Sequence, residues 1–240
     1  MLARVFLVLF SLALAPAAYF SLVRAGRLMF ESAGGLWVLA VGFFVGLPFC
    51  RWLLRHFPWP ATLEHETTHA LVALLFLRRV TGFQVTGRKG GRVEYRGRFG
   101  GRIANDLIGL APYYLPTLPL ILALFRPLIP GLIGVGYDAV LGVALAFHVV
   151  GTWRETIQNW HKRRPTGAGD RAKQTDIGAR GYAYSAIVIL TFLPAFLSLT
   201  LFLIARGWPG AIRWGRALYD GLLAFWGWAW IFGNHLFLSN

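Results

Sequence analysis

Residues 61–79 read ATLEHETTHALVALLFLRR, two histidines and two glutamates in a run otherwise suited to hydrocarbon. His65 and His69 are four residues apart, so on a helix they share one face, one turn apart, and both imidazoles can reach the same divalent ion. Glu66 projects beside that face, where its carboxylate can take a proton from a water that the ion activates. HExxH on a helix is the zinc peptidase arrangement, with two histidine ligands and a glutamate general base. In a chain with 6 histidines among 240 residues, chance supplies roughly 0.003 such matches. Ionisable groups at membrane depth are costly, and they persist where they face an ion, water or one another. The competing reading is a structural polar patch between helices.

The elements that must position this segment are membrane helices. The chain is 56% hydrophobic and only 14% charged, with mean hydropathy +0.55. It cannot cover itself with polar surface, and its apolar residues fall in blocks near the roughly 20 needed to cross a bilayer. The pattern predicts an all-α polytopic membrane protein of about seven transmembrane helices, near 3–23, 34–50, 60–77, 107–125, 130–152, 182–205 and 217–237. Residues 1–56 read as N-terminal helices, 57–185 as the core that carries the chemistry, and 186–240 as C-terminal helices. Tryptophans near span ends, among them Trp52, Trp59, Trp153 and Trp208, suit the aromatic belt of a bilayer interface. A single cysteine, Cys50, excludes an internal disulfide and a cysteine-based zinc cluster. The net charge of +14 comes without an aromatic-basic recognition motif, so nucleic acid is not an expected partner.

The basic residues gather in loops. Residues 78–102 hold eight Lys and Arg, and residues 153–181 hold seven. Seven spans with the N-terminus outside put both loops, with Arg24 and Arg27, on the cytoplasmic side, as the positive-inside bias requires. This scheme keeps the first span uncleaved despite its likeness to a secretory signal. It also places the metal about 12 Å below the cytoplasmic surface, counting 1.5 Å per residue back from Arg78. The first basic loop alternates. Val93, Tyr95 and Phe99 fall on one face and Arg92, Glu94, Arg96 and Arg98 on the other, next to the turn sequence GRKGG. Period two beside a Gly-rich turn predicts a small β-hairpin after the HExxH helix. Pro112, Pro116 and Pro119 then break the next span and free backbone carbonyls that protein or water must satisfy.

Catalytic zinc usually takes three protein ligands, so HETTH needs one more. His148, in LALAFHVVGTW, is ranked ahead of Asp176, in QTDIGARG, with a hydrogen-bonded interhelical histidine and a helix N-cap as their respective bland readings. Asn105 is a candidate donor to a tetrahedral oxyanion, or an interfacial cap.

HETTHALVALLF on an apolar span, the hairpin-like stretch 80–99 and the proline-broken APYYLPTLPLILAL together resemble the site-2-protease-like intramembrane metalloproteases, the M50 class of membrane zincins. The resemblance covers roughly residues 60–185. It implies a Zn2+ cofactor, a β element that presents the substrate strand, and a third ligand that is usually an aspartate in an LDG-like motif. No LDG occurs here. The expected activity is hydrolysis of peptide bonds within or beside a transmembrane segment of another protein. Glu66 would be the base, His65 and His69 with His148 or Asp176 the ligands, and Asn105, Val93 and Tyr95 the substrate contacts. The expected location is a cytoplasmic-type membrane, with the active site nearer the cytoplasmic face. The rivals are a non-catalytic metal-binding or metal-transporting membrane protein and a structural scaffold. Substrate identity and oligomeric state are not legible.

Overall fold

The computed structural model describes residues 2–31, 36–86, 90–161 and 176–238. Nine helices and one hairpin lie within them: α1 (Leu2–Glu31), α2 (Leu36–His56), α3 (Trp59–Leu75), β1 (Arg79–Thr86), β2 (Gly90–Arg96), α4 (Gly101–Tyr114), α5 (Thr117–Phe125), α6 (Gly131–His161), α7 (Asp176–Arg180), α8 (Tyr182–Arg206) and α9 (Pro209–Leu238). The hairpin is antiparallel, with Val80 opposite Tyr95 and Phe83 opposite Val93. Its turn residues 87–89 lie outside the described residues.

Among the described residues, four helices are long and apolar enough to cross a bilayer: α1, α2 from Trp37, α6 to Ile157, and α8. The pair α4 and α5, bent by 76° at its break, makes a fifth if counted as one broken span. The break falls where the prolines put it, since Leu115 is extended and Pro116 ends the helical geometry. The expected count of seven is not reproduced by length and composition, because α3 has only 17 residues and α9 is also outside the set.

Helix directions correct the expected alternation. On α1 and α8, Arg4 lies over the Tyr184 ring, the Ser11 carbonyl accepts from Thr191, and Ser21 meets Ser198. These residues rise together, so the two helices are parallel, whereas seven alternating spans would oppose them. The same holds for α2 and α6, where Gly42 faces Ala139, Gly46 faces Val143 and Ala146, and Arg154 donates to the Leu54 carbonyl. The reason is α3. It starts beside Gly151 near the late end of α6, through Ala61. It ends at Leu75, and Arg78, three residues on, donates from its guanidinium to Asn105 Oδ1 at the start of α4. Asp106, one residue on, holds Arg4. Both ends of α3 therefore sit at the same end of the bundle, and the N-terminus of α1 lies there too.

Small residues let α2 and α6 approach. A Cβ on Gly42 would run into the Ala139 carbonyl, one on Gly142 into the Leu39 carbonyl, and one on Gly46 would lie 2.9 Å from Ala146 Cβ. Gly42-x-x-x-Gly46 against Gly142-x-x-x-Ala146 is the small-residue pattern that draws membrane helices together by close backbone contact. Around it pack Leu39, Leu141, Leu145, Cys50 and Leu54. Arg78, buried at 3% exposure, ties the hairpin to α4 by donating also to the carbonyls of Phe99 (3.2 Å) and Gly101 (2.9 Å). Replacing Gly42 with Leu should force α2 and α6 apart and lower the thermal unfolding midpoint in detergent, by an overpacking cost of about 1–3 kcal/mol or more. The same change at the exposed, uncrowded Gly136 should leave the midpoint near wild type.

Candidate metal centre

α3 begins with Trp59 and Pro60, where proline's missing N–H costs nothing. Its next turns bring His65 and His69 to one face, with ring centroids 4.7 Å apart. The third group comes from α7, whose first residue is Asp176. His65 Nε2 lies 3.0 Å from His69 Nε2, and Asp176 Oδ2 lies 3.3 Å from the first and 3.4 Å from the second. Among the described residues this is the one group of three that can hold a metal ion.

The geometry fits a tetrahedral ion. Ligand atoms at about 2.0–2.1 Å from zinc stand roughly 3.3 Å from one another, which is the edge length of this triangle. The donor chemistry fits as well. His69 Nδ1 donates to the Ile108 carbonyl at 2.7 Å, so its Nε2 carries a lone pair. His65 Nδ1 lies 2.6 Å from Glu155 Oε2, off the hydrogen-bonding line but beside an acceptor-only carboxylate, so its proton belongs on Nδ1 and its Nε2 lone pair faces the triangle. Asp176 adds a third lone pair. Three lone pairs converging at this spacing repel unless a cation lies between them.

Each donor is braced from behind. Tyr113 packs edge-on against His65 at 5.8 Å. Arg180, one turn after Asp176, donates to the Asp176 carbonyl (2.8 Å) and to the Asn105 carbonyl (3.0 Å), with its Nε 3.4 Å from Asp106 Oδ1. Its guanidinium lies across Gly109, where any Cβ would collide with it. Asp106 is held in turn by Arg4 (3.1 Å) and Tyr184 (3.0 Å). α7 is therefore anchored to α4 although it is only five residues long.

Glu66 is buried at 7% exposure on the side of α3 covered by β2. A Cβ on Gly91 would lie 2.8 Å from the Glu66 carboxyl carbon and Oε1, so only a glycine lets the strand backbone lie on this carboxylate. Val93 and Tyr95 share that strand face with Gly91 and are half-buried, and Tyr95 packs on the core beside Phe76 and Val80.

Two expectations are changed by this arrangement. His148 does not join the triangle: its Nδ1 lies 3.5 Å from Glu64 Oε1, and the residue of α6 that reaches His65 is Glu155, seven positions on along the same face. Asp176, ranked second, is the residue that lies beside both histidines. Asn105 is exposed and gives its side-chain carbonyl to Arg78, so it is not brought to the histidines. Glu155, Arg180, Asp106 and Gly91 were not singled out from sequence. A usable signal existed for two of them, in the seven-residue spacing of Glu155 from His148 and the i,i+4 spacing of Arg180 from Asp176.

A helix bearing HExxH, with a carboxylate beside its histidines and a hairpin over its glutamate, among helices able to span a bilayer, is the arrangement of a membrane zincin of the site-2-protease-like kind. The family model described as Peptidase M50B-like matches residues 34–160, and the chain belongs to that family, which makes it an integral membrane metalloprotease. No curated protein and no solved structure matches the chain. The matched stretch holds His65, Glu66, His69 and Glu155 and stops before Asp176.

Replacing Gly109 with Val should expel the Arg180 guanidinium and loosen α7. Amide hydrogen exchange over residues 176–180 should speed up markedly, while exchange in α2 and α6 stays as in wild type.

Proposed function

We propose that this protein is a zinc endopeptidase that cuts peptide bonds within or next to transmembrane segments of other proteins. The convergence of His65 Nε2, His69 Nε2 and Asp176 Oδ2 on a triangle with 3.0–3.4 Å edges carries the reading. A zinc ion held by these three supplies Lewis acidity that polarises the scissile carbonyl and makes a water nucleophilic near neutral pH. Glu66 is the general base: it takes the proton of the attacking water and returns it to the leaving amine. The burial of Glu66 beneath Gly91 keeps bulk solvent from competing for that proton. Water enters from the end of the bundle that holds both ends of α3.

That end is assigned to the cytoplasm. Arg4, Arg51 and Arg55 join Arg78, Arg79, Arg92, Arg96, Arg98, Arg102, Arg154 and Arg180 there, so 11 of the 17 Lys and Arg among the described residues lie at this end. A helical substrate hides its carbonyls in hydrogen bonds, so cleavage requires an extended stretch. The two-stranded hairpin has unpaired outer edges that can add such a stretch as a third strand, with Val93 and Tyr95 near it.

Two measurements test the assignment. Glu66→Gln should abolish cleavage of a membrane-inserted substrate, a loss of at least about 10³-fold, while bound zinc stays near one per chain. Retained cleavage, or a wild-type protein purified without stoichiometric metal, would sink the reading. Separately, Asp176→Ala should lose zinc on dialysis against a mild chelator, and His148→Ala should keep it. The reverse pattern would make His148 the ligand.

A further inference from the structure

Helix α4 contains a proline in its interior, Pro112, at a buried position where a helix would ordinarily be continuous. In an α-helix the N–H of residue i donates to the carbonyl of residue i−4. Proline has no N–H, so the carbonyl four residues before it loses its helical partner. For Pro112 that carbonyl is Ile108, and the group that donates to Ile108 O is the His69 Nδ1–H, at 2.7 Å. Ile108 is fully buried, so water does not compete for its carbonyl. The carbonyl released by Pro112 is thus spent on a histidine of the triangle.

We infer that Pro112 is a positioning residue for the metal centre: by withholding one backbone donor it dedicates the Ile108 carbonyl to His69, fixing the tautomer whose Nε2 lone pair points at the ion. The inference rests on the zinc reading above. The physical logic is that of an outer partner orienting a histidine ligand, here a main-chain oxygen made available by a missing N–H. A residue with an N–H at position 112 would give Ile108 O a second, intrahelical donor. That donor would pull the carbonyl towards the helix axis and weaken its hold on the imidazole.

The test separates the missing donor from the proline ring. In full-length protein, position 112 is changed to alanine, which restores the N–H, and to lactic acid, whose backbone ester has neither N–H nor ring. Zinc affinity is measured by competition with a chromophoric chelator, and unfolding of the metal-free protein by thermal scan. Alanine is expected to weaken zinc binding about tenfold while the metal-free Tm holds or rises, since a helix-breaking residue has been removed. Lactic acid is expected to bind zinc within about threefold of wild type. Affinity unchanged by alanine overturns the inference. So does equal weakening in both variants, because the ring or the bend would then be responsible. If wild type itself takes up no zinc, the underlying reading has failed instead, a result distinct from either.

Discussion

The structure depends on the enforced meeting of three electron pairs. Two imidazole nitrogens and a carboxylate oxygen within 3.4 Å of one another, with their protons committed elsewhere, repel in any medium of low dielectric. A divalent ion between them would turn that repulsion into attraction. What surrounds the triangle can be read as the means of keeping each electron pair aimed inward: the Ile108 carbonyl behind His69, Glu155 and the Tyr113 ring behind His65, and Arg180 behind Asp176. Without those braces an exposed imidazole would turn to water, and the helix face alone would not specify a metal site.

The fold meets this demand through one departure from simple alternation. Because α3 enters and leaves at the same end of the bundle, it can be approached from several directions there: by α6 from one side, by α4 from another, by the hairpin over Glu66, and by α7 over the histidines. A helix that ran straight through the bilayer would offer only lateral neighbours. The cost of placing polar groups among apolar helices is met by glycines. Gly42, Gly46 and Gly142 bring α2 and α6 together closely enough for α6 to present Glu155, Gly109 makes room for Arg180, and Gly91 makes room for Glu66.

Much of this was legible in the sequence, and the parts that were not have physical reasons. HETTH, the alternation of Val93 and Tyr95, and the proline break are local patterns, and each produced the element it predicts: a helix with both rings on one face, an antiparallel hairpin, and a bend at Leu115–Pro116. The third donor is a non-local fact. Asp176 lies 107 residues after His69, and nothing in QTDIGARG says that Arg180 will lie across Gly109 and carry the aspartate with it. His148 looked better because depth was counted along the chain as though every apolar segment stood upright. That assumption also set the direction of the earlier helices, since treating α3 as a crossing reverses every helix before it. Hydropathy reports how far a segment can reach in lipid, not which end it comes back to.

The division of the centre between two parts of the chain follows from the same geometry. The family match, residues 34–160, contains both histidines, the base and the braces on α4 and α6, all of which are helices locked by extensive apolar packing. Asp176 and Arg180 fall beyond it, on five residues of helix with one buried apolar anchor, Ile177. So short a helix has little stability of its own, and its place is held by the charged clasp of Arg180 with Asp106, which is itself tied to α1 through Arg4 and to α8 through Tyr184. The two-histidine half is thus built into the bundle, whereas the carboxylate is delivered by an arm whose anchorage runs through polar contacts to helices outside the HExxH segment. Shifts of α1 or α8 relative to α4 would therefore reach the triangle through the aspartate rather than through the histidines.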